Sequence, residues 1–117
     1  MSIIICGSRD WTNRETIRNK LKEYTDYTLI TGGCRGADNI ANYIAKEEFK
    51  MDTIVVKANW KKYGKSAGSI RNRKMLDMGP KLVLGFHNNF IKSKGTKDMA
   101  LQCRRRNIEF ILCIDEK

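Results

Sequence analysis

The stretch that decides the fold is Leu29-Ile30-Thr31-Gly32-Gly33-Cys34-Arg35-Gly36-Ala37-Asp38. An apolar run ends there in a glycine-rich turn. A stripe with helical spacing follows it, made of Ala37, Ile40, Ala41, Ile44, Ala45 and Phe49. Glycines let a backbone approach a ligand closely, and the first turn of a helix offers unpaired N–H groups to an anion. The sequence therefore predicts a strand, a phosphate-binding turn and a helix in direct succession.

The same alternation of strand and helix runs through the whole chain. Predicted strands cover residues 3–6, 28–31, 52–58, 81–86 and 110–114. Predicted helices begin at the capping-box pattern Thr12-Asn13-Arg14-Glu15, at residue 37, at residue 66, and at Gly95-Thr96, the last closing at Asn107. Short connections of this kind require right-handed crossovers. We expect one domain over residues 1–117 with an α/β fold, a Rossmann-like three-layer α/β/α sandwich around a five-stranded, mainly parallel sheet.

The amino-acid composition limits the kinds of partner and cofactor that we expect for this protein. The chain carries 23 lysines and arginines against 13 acidic residues, a formal net charge of +10. This charge favours a phosphorylated or polyanionic partner, but the lysines are spread along the chain as ordinary solvated faces require. The four cysteines show no C-x-x-C spacing and the chain has one histidine, so no metal site and no cofactor are predicted. We expect reduced thiols, no signal peptide, no membrane span and a cytoplasmic location.

Ligands of an open parallel sheet bind beyond the carboxyl ends of its strands. The residues predicted at that rim are Gly7, Ser8 and Arg9 after the first strand, Thr31, Gly32 and Gly33 after the second, Asn59 and Trp60 after the third, and His87 and Asn88 after the fourth. Arg9 and Arg35 suit phosphate contact. Ser8 suits a phosphate or a turn cap. Trp60 and Tyr63, in a predicted polar loop over residues 59–65, suit base stacking or anchoring of that loop. His87 is typical of a hydrogen-bonded structural group.

Four blocks of the sequence resemble a known family. They are Cys6-Gly7-Ser8-Arg9, residues 31–38, residues 60–72 and Gly95-Thr96-Lys97-Asp98-Met99, and they look like the signature blocks of the YspA and cpYpsA-related branch of the SLOG superfamily. The resemblance implies a Rossmann-like domain that binds a nucleotide or a nucleotide-derived ligand, in a sensor, sequestering or processing role. Small members of this branch are frequent in phage genomes, and homo-oligomers are common among relatives. The ligand-binding residues would be Gly7, Ser8, Arg9, Thr31, Gly32, Gly33, Arg35, Gly36, Asp38, Trp60, Tyr63, Arg71, Asn72, His87, Gly95 and Thr96.

Two alternatives come with that resemblance. In the related phosphoribohydrolases, a catalytic arginine resembles Arg73 and a G-T-x-x-E block resembles residues 95–99, with Met99 at the place of the glutamate. Cleavage of an N-glycosidic bond needs a carboxylate, which Asp98, Asp38 or Asp10 would supply, with Arg71 or Arg73 on the phosphate. The other alternative is single-stranded nucleic-acid binding in the manner of the DNA-processing protein DprA. Binding of a small nucleotide-derived molecule is the leading hypothesis.

Overall fold

The computed structural model describes residues 1–115, which form five strands and five α-helices. In chain order the elements are β1 (Ser2–Gly7), α1 (Arg14–Leu21), β2 (Thr28–Thr31), α2 (Ala37–Tyr43), β3 (Thr53–Val55), α3 (Trp60–Tyr63), α4 (Ala67–Asp77), β4 (Leu82–Phe86), α5 (Gly95–Arg105) and β5 (Glu109–Cys113). All neighbouring strands are parallel, in the order β3-β2-β1-β4-β5. The predicted Rossmann-like α/β fold is confirmed, and the sheet is wholly parallel. No helix within residues 1–115 is long and apolar enough to cross a membrane.

An apolar layer covers each face of the sheet, and β1 contributes isoleucines to both layers. Ile3 and Ile5 pack with residues of α1 and α2, whereas Ile4 packs with Met75 of α4 and Met99 of α5. Side chains alternate along a strand, so a continuous apolar run fits a strand that is buried on both sides. The β1 and β4 strands therefore lie in the middle of the sheet. From β1 the chain continues to β2 on one side, and from β4 it continues to β5 on the other side.

The third predicted strand is shorter and more exposed than expected. It covers Thr53–Val55 instead of residues 52–58, and it lies at an edge where it pairs with β2 alone. Ile54 and Val55 are each 42% exposed. An edge strand has a neighbouring strand on one side only. The apolar residues of β3 therefore reflect the preference of β-branched side chains for strands and not burial in the core.

Two further boundaries differ from the sequence prediction, and the end of the second predicted helix agrees with it. The N-cap of α1 is Asn13, whose side chain accepts a hydrogen bond from the Thr16 N–H at 3.3 Å, so the capping box at Thr12 is wrong by one residue. The predicted loop 59–65 is largely helical: α3 continues through a 3-10 turn (Gly64–Ser66) directly into α4. After α2, a π-helical turn (Ile44–Glu48) continues the helix to the end of its apolar stripe.

Candidate functional site

A cavity of about 580 Å³ opens beyond the carboxyl ends of β1 and β4. These two strands are neighbours whose following helices lie on opposite faces of the sheet, so the cavity occupies the point where the strand order reverses. Ten of the predicted binding residues line it: Gly7, Ser8, Arg9, Asp38, Trp60, Arg71, Asn72, His87, Gly95 and Thr96. The volume falls in the usual range of small-molecule sites, roughly 300 to 1,000 Å³.

The glycine-rich turn after β2 binds its own carboxylate. Oδ2 of Asp38 accepts hydrogen bonds from the N–H groups of Gly32, at 3.0 Å, and Cys34, at 3.3 Å. Asp38 is only 4% exposed. Two N–H donors that the sequence offers to a phosphate are thus occupied by a side chain from the first turn of α2. The turn contributes Cys34 to the cavity wall, and the anion that its N–H groups bind is the Asp38 carboxylate of the same chain.

The other predicted residues of this turn lie behind or beside the cavity, outside its lining. They are Thr31, Gly32, Gly33, Arg35 and Gly36. Gly36 has φ +80°, and a Cβ there would lie 2.3 Å from the Ser8 carbonyl oxygen, so its conformation serves the contact between this turn and the loop after β1. Arg35 is exposed and lies 3.7 Å from Asp10 at the rim. The Thr31 hydroxyl is buried without a hydrogen-bond partner among residues 1–115.

Arg71 is held at the cavity wall by two elements. Its Nη1 donates to the Gly32 carbonyl at 3.0 Å, and its Nε donates to Oδ1 of Asn72 at 3.1 Å. A Cβ on Gly32 would lie 2.1 Å from that Nη1, so this glycine makes room for the guanidinium. The buried Asn72 amide in turn donates to Asp98 at 3.0 Å and to the Gly95 carbonyl at 3.3 Å. Hydrogen bonds thus connect the turn after β2, α4 and the start of α5.

The two predicted catalytic residues do not line the cavity. Asp98 accepts hydrogen bonds from Ser69 and Asn72, which link α4 to α5, and from Gln102 of its own helix. Arg73 is exposed on α4. Met99, at the place of the hydrolase glutamate, is fully buried in the apolar layer under α4 and α5. The carboxylates that do line the cavity are Asp38 and Asp10.

The start of α5 contributes a group of residues that sequence reasoning missed. Lys92, Ser93 and Lys94 line the cavity beside Gly95 and Thr96. The N–H groups of Lys97 and Asp98 are bound by Ser93 and Lys94, whereas those of Gly95 and Thr96 have no acceptor within residues 1–115. Thr96 is 5% exposed and is one of the residues that line the cavity. The signal was present in the sequence, because Lys92-Ser93-Lys94 directly precedes the Gly95-Thr96 turn.

The cavity also contains aromatic and hydrophobic surface. Trp60 is 51% exposed at the start of α3, and a Cβ on Gly68 would lie 3.4 Å from its ring. Tyr63 does not line the cavity; the ammonium groups of Lys62 and Lys74 lie 5.1 and 6.0 Å from its ring centroid. Other lining residues absent from the prediction are Cys6, Cys34, Gly68, Met75 and Asn89. Cys6, Cys34 and Gly68 lie within the blocks that carry the family resemblance, whereas Met75 and Asn89 lie outside them.

The charge at the cavity is positive. Arg9, Arg71, Lys92 and Lys94 line it against two carboxylates, Asp10 and Asp38. Burial raises the pKa of Asp38 to about 6, although the N–H groups of Cys34 and Gly32 and the charge of Arg71 act in the opposite direction. Burial lowers the pKa of His87, so its ring is neutral near pH 7, and Nδ1 accepts from the Asn89 N–H at 3.0 Å. Ser8 Oγ accepts from the Asp10 N–H and caps its own turn.

Comparison with known proteins agrees with this architecture. The family model described as YspA, cpYpsA-related SLOG family (YAcAr) matches residues 1–63, which include β1, the turn after β2 and α3. The chain belongs to the YAcAr family. Gene 61 protein of Mycobacterium phage D29 is 32% identical to it over 118 aligned residues, which cover 93% of each chain. The predicted family resemblance is confirmed, and membership in this SLOG family is consistent with a nucleotide-related binding role.

A metal centre has no obvious ligands here. Within residues 1–115, no three histidine, cysteine or acidic side chains come close enough together to hold a metal ion. The free cysteines Cys6, Cys34, Cys103 and Cys113 lie in different elements. The cavity offers cations and N–H donors, which suit an anion.

Proposed function

We propose that the cavity binds a nucleotide-derived small molecule. One observation carries this proposal: three kinds of group surround a single cavity of about 580 Å³. They are four cationic side chains, two N–H groups without an acceptor in residues 1–115, and a half-exposed tryptophan. A nucleotide presents the complementary groups, an anionic phosphate and a flat aromatic base. Membership in a SLOG family supports the same class of ligand.

The phosphate in this proposal binds at the start of α5. The helix dipole and the N–H groups of Gly95 and Thr96 attract an anion there. Lys94 and Lys92 stand beside them, and the Thr96 hydroxyl adds a donor. The turn after β2 supplies Arg71 instead of its own N–H groups, because Asp38 already occupies these. The proposed phosphate site is thus at Gly95 and Thr96, one of the glycine-containing turns of the sequence, and not on the N–H groups of the turn after β2.

The base in this proposal stacks on Trp60. The indole is 51% exposed and lies over Gly68, where a larger side chain would fill part of the space. Stacking on an aromatic side chain is worth roughly 1–3 kcal/mol per base. Stacking also changes indole fluorescence, and the second tryptophan, Trp11, is buried against Phe86 away from solvent.

The test is a thermal-shift and fluorescence titration with nucleoside monophosphates, NAD, ADP-ribose and cyclic nucleotides. We expect at least one of them to raise the melting temperature in a concentration-dependent manner and to quench Trp60. Lys94→Gln should weaken its binding by about tenfold, because a charge-assisted contact to phosphate is lost. Lys97→Gln is the matched control, since Lys97 lies in the first turn of α5, three residues after Lys94, but does not line the cavity. Equal effects of the two variants, or no shift with any nucleotide, would contradict the proposal.

Cleavage of the N-glycosidic bond of a nucleotide is a second candidate function. Asp38 favours it, because a cavity-lining carboxyl with a pKa of about 6 is suited to proton transfer near neutral pH. Chromatographic detection of free base after incubation with each bound nucleotide is the test, with Asp38→Asn as the variant that should abolish release. Binding without any release of base would leave the small-molecule binding role alone.

A further inference from the structure

The lysines and arginines are spread along the chain, but the excess of positive over negative charge comes from one part of it. Residues 57–107 contain fourteen lysines and arginines against two acidic residues, Asp77 and Asp98. Residues 10–52 contain seven against eight. The excess charge of the whole molecule therefore comes from the segment that includes α3, α4, β4 and α5.

The fold places much of this segment on one side of the sheet. Met75 and Leu76 of α4 and Met99 and Cys103 of α5 pack against the same apolar layer, and α3 leads directly into α4. The outer surface of these three helices and the turns that follow α3 and α5 is called here the basic face. Its exposed cations without an ion pair in residues 1–115 are Lys61, Lys62, Lys65, Arg73, Lys74, Lys97, Arg104 and Arg105.

Local effects do not account for the basic face. Of its two acidic residues, Asp77 pairs with Arg106 at 2.8 Å, and Asp98 is taken up by hydrogen bonds to three neutral side chains. Arg104 and Arg105 suit the negative end of the α5 dipole, but Lys97 lies at the positive end of the same helix, where a cation is disfavoured. The opposite side of the sheet, by contrast, balances its charges, as in the contacts of Arg18 with Glu15 and Glu48. Repulsion on the basic face thus remains uncompensated within the described chain.

We infer that the basic face binds the phosphodiester backbone of a nucleic acid. A group of exposed, unpaired cations can neutralise phosphates and release their counterions, which is a sequence-independent source of affinity. The face also continues to the cavity rim, because Trp60 and Lys94 line the cavity. Lys61, one residue after Trp60, and Lys97, three residues after Lys94, lie on the face. This site is separate from the proposed nucleotide site and does not depend on it.

An anionic membrane is the weaker match. Amphipathic surfaces that lie in a membrane interface bury a continuous apolar face beside their basic residues. The large apolar side chains exposed on or next to α3, α4 and α5 are Trp60, Met78, Ile91 and Leu101, which lie in four different elements or turns and form no single stripe along one helix. The face therefore offers charge without a hydrophobic surface to insert, which suits a solvated phosphate backbone.

The test is fluorescence anisotropy with labelled oligonucleotides of about 20 residues, as single-stranded DNA, single-stranded RNA and duplex DNA, a length that exceeds the site sizes of small binding domains. We expect binding that weakens steeply between about 50 and 200 mM salt, with a slope near −3 for about four phosphates on a single strand. The double variant Lys74→Gln and Arg105→Gln should weaken binding about fivefold or more and reduce that slope by about 1 to 2. The control is Lys22→Gln with Lys46→Gln, which removes the same charge from exposed positions on the opposite side.

The outcomes separate the sources of affinity. Loss confined to the Lys74 and Arg105 variant, with normal melting temperature, supports the inference, and the three oligonucleotides show which nucleic acid is preferred. Equal loss in both double variants would mean that net charge alone attracts the oligonucleotide, and this overturns it. Competition by a saturating mononucleotide would place the oligonucleotide in the cavity instead, and binding to anionic phospholipid vesicles without any oligonucleotide binding would also overturn it.

Discussion

At the scale of single residues, Asp38 has the largest effect on how the site is understood. Its carboxylate binds the N–H groups of Gly32 and Cys34, so the turn that looks like a phosphate cradle contains an anion already. The same carboxylate lies close to Arg71 and Arg9, whose charges lower its pKa against the effect of burial. Burial is the larger effect, because a carboxylate with 4% exposure has lost most of its hydration.

The stability of the protein should depend on the protonation of Asp38. Its pKa rises from an ordinary value of 3.8 to about 6 on folding, so between these values the folded state binds more protons than the unfolded chain. The contribution of this group is thus complete below pH 3.8 and is lost as the pH rises through about 6, by about 3 kcal/mol.

Chemical denaturation of the wild-type protein and of Asp38→Asn across this pH range checks the prediction. The free energy of unfolding of the wild type should fall relative to that of the variant as pH increases. Other titrating groups occur in both proteins and cancel in the difference. A difference that stays constant from acid to neutral pH would show that Asp38 titrates normally.

At the scale of elements, α1 and α3 show how side chains set helix boundaries. Both helices have an asparagine N-cap: Asn13 accepts from the Thr16 N–H, and Asn59 accepts from the Lys62 N–H at 3.1 Å. Asn13 also donates to Asp115 at 2.7 Å, which holds the chain after β5 against the start of α1. Thr12 and Asn13 are both acceptable caps in sequence, and the tertiary contact with Asp115 favours Asn13.

Replacing the cap of α1 should measure this choice directly. We expect Asn13→Ala to lower the free energy of unfolding by about 1 kcal/mol or somewhat more. The N-cap hydrogen bond from Thr16 and the partly buried hydrogen bond to Asp115 are both lost. Thr12→Ala should change it by less than about 0.5 kcal/mol, because Thr12 is exposed and is not the cap. Urea unfolding followed by circular dichroism gives both values. A larger loss for Thr12→Ala than for Asn13→Ala would restore the capping box.

At the scale of the whole molecule, strand order decides which apolar residues carry the fold. Ile4 in β1 and Ile54 in β3 look equivalent in sequence, since each lies in an apolar run. Ile4 is fully buried between β1 and the helices α4 and α5, whereas Ile54 is 42% exposed at the edge. The same strand order places the cavity between the loops that follow β1 and β4.

Truncation of these two isoleucines should separate centre from edge. Ile4→Ala should destabilise the protein by about 3 kcal/mol, because it removes buried methylene groups and leaves a cavity in a closely packed layer. Ile54→Ala should cost below about 1 kcal/mol, since much of its side chain is already in water. Denaturant midpoints of the two variants supply the comparison. Similar losses would mean that β3 is covered on both sides in solution, as by a second copy of the chain.

The sequence by itself determined the alternation of strands and helices, the parallel sheet, the family and most residues of the rim. These follow from local periodicity and from turns in which glycine and polar residues end each strand. Only the tertiary structure decided the strand order, the edge position of β3, the internal bonds of Asp38 and the removal of Asp98 and Arg73 from the cavity. The physical reason is the distance along the chain: the bond from Arg71 to Gly32 joins residues 39 positions apart. Such pairings depend on how whole layers pack, which no local pattern encodes.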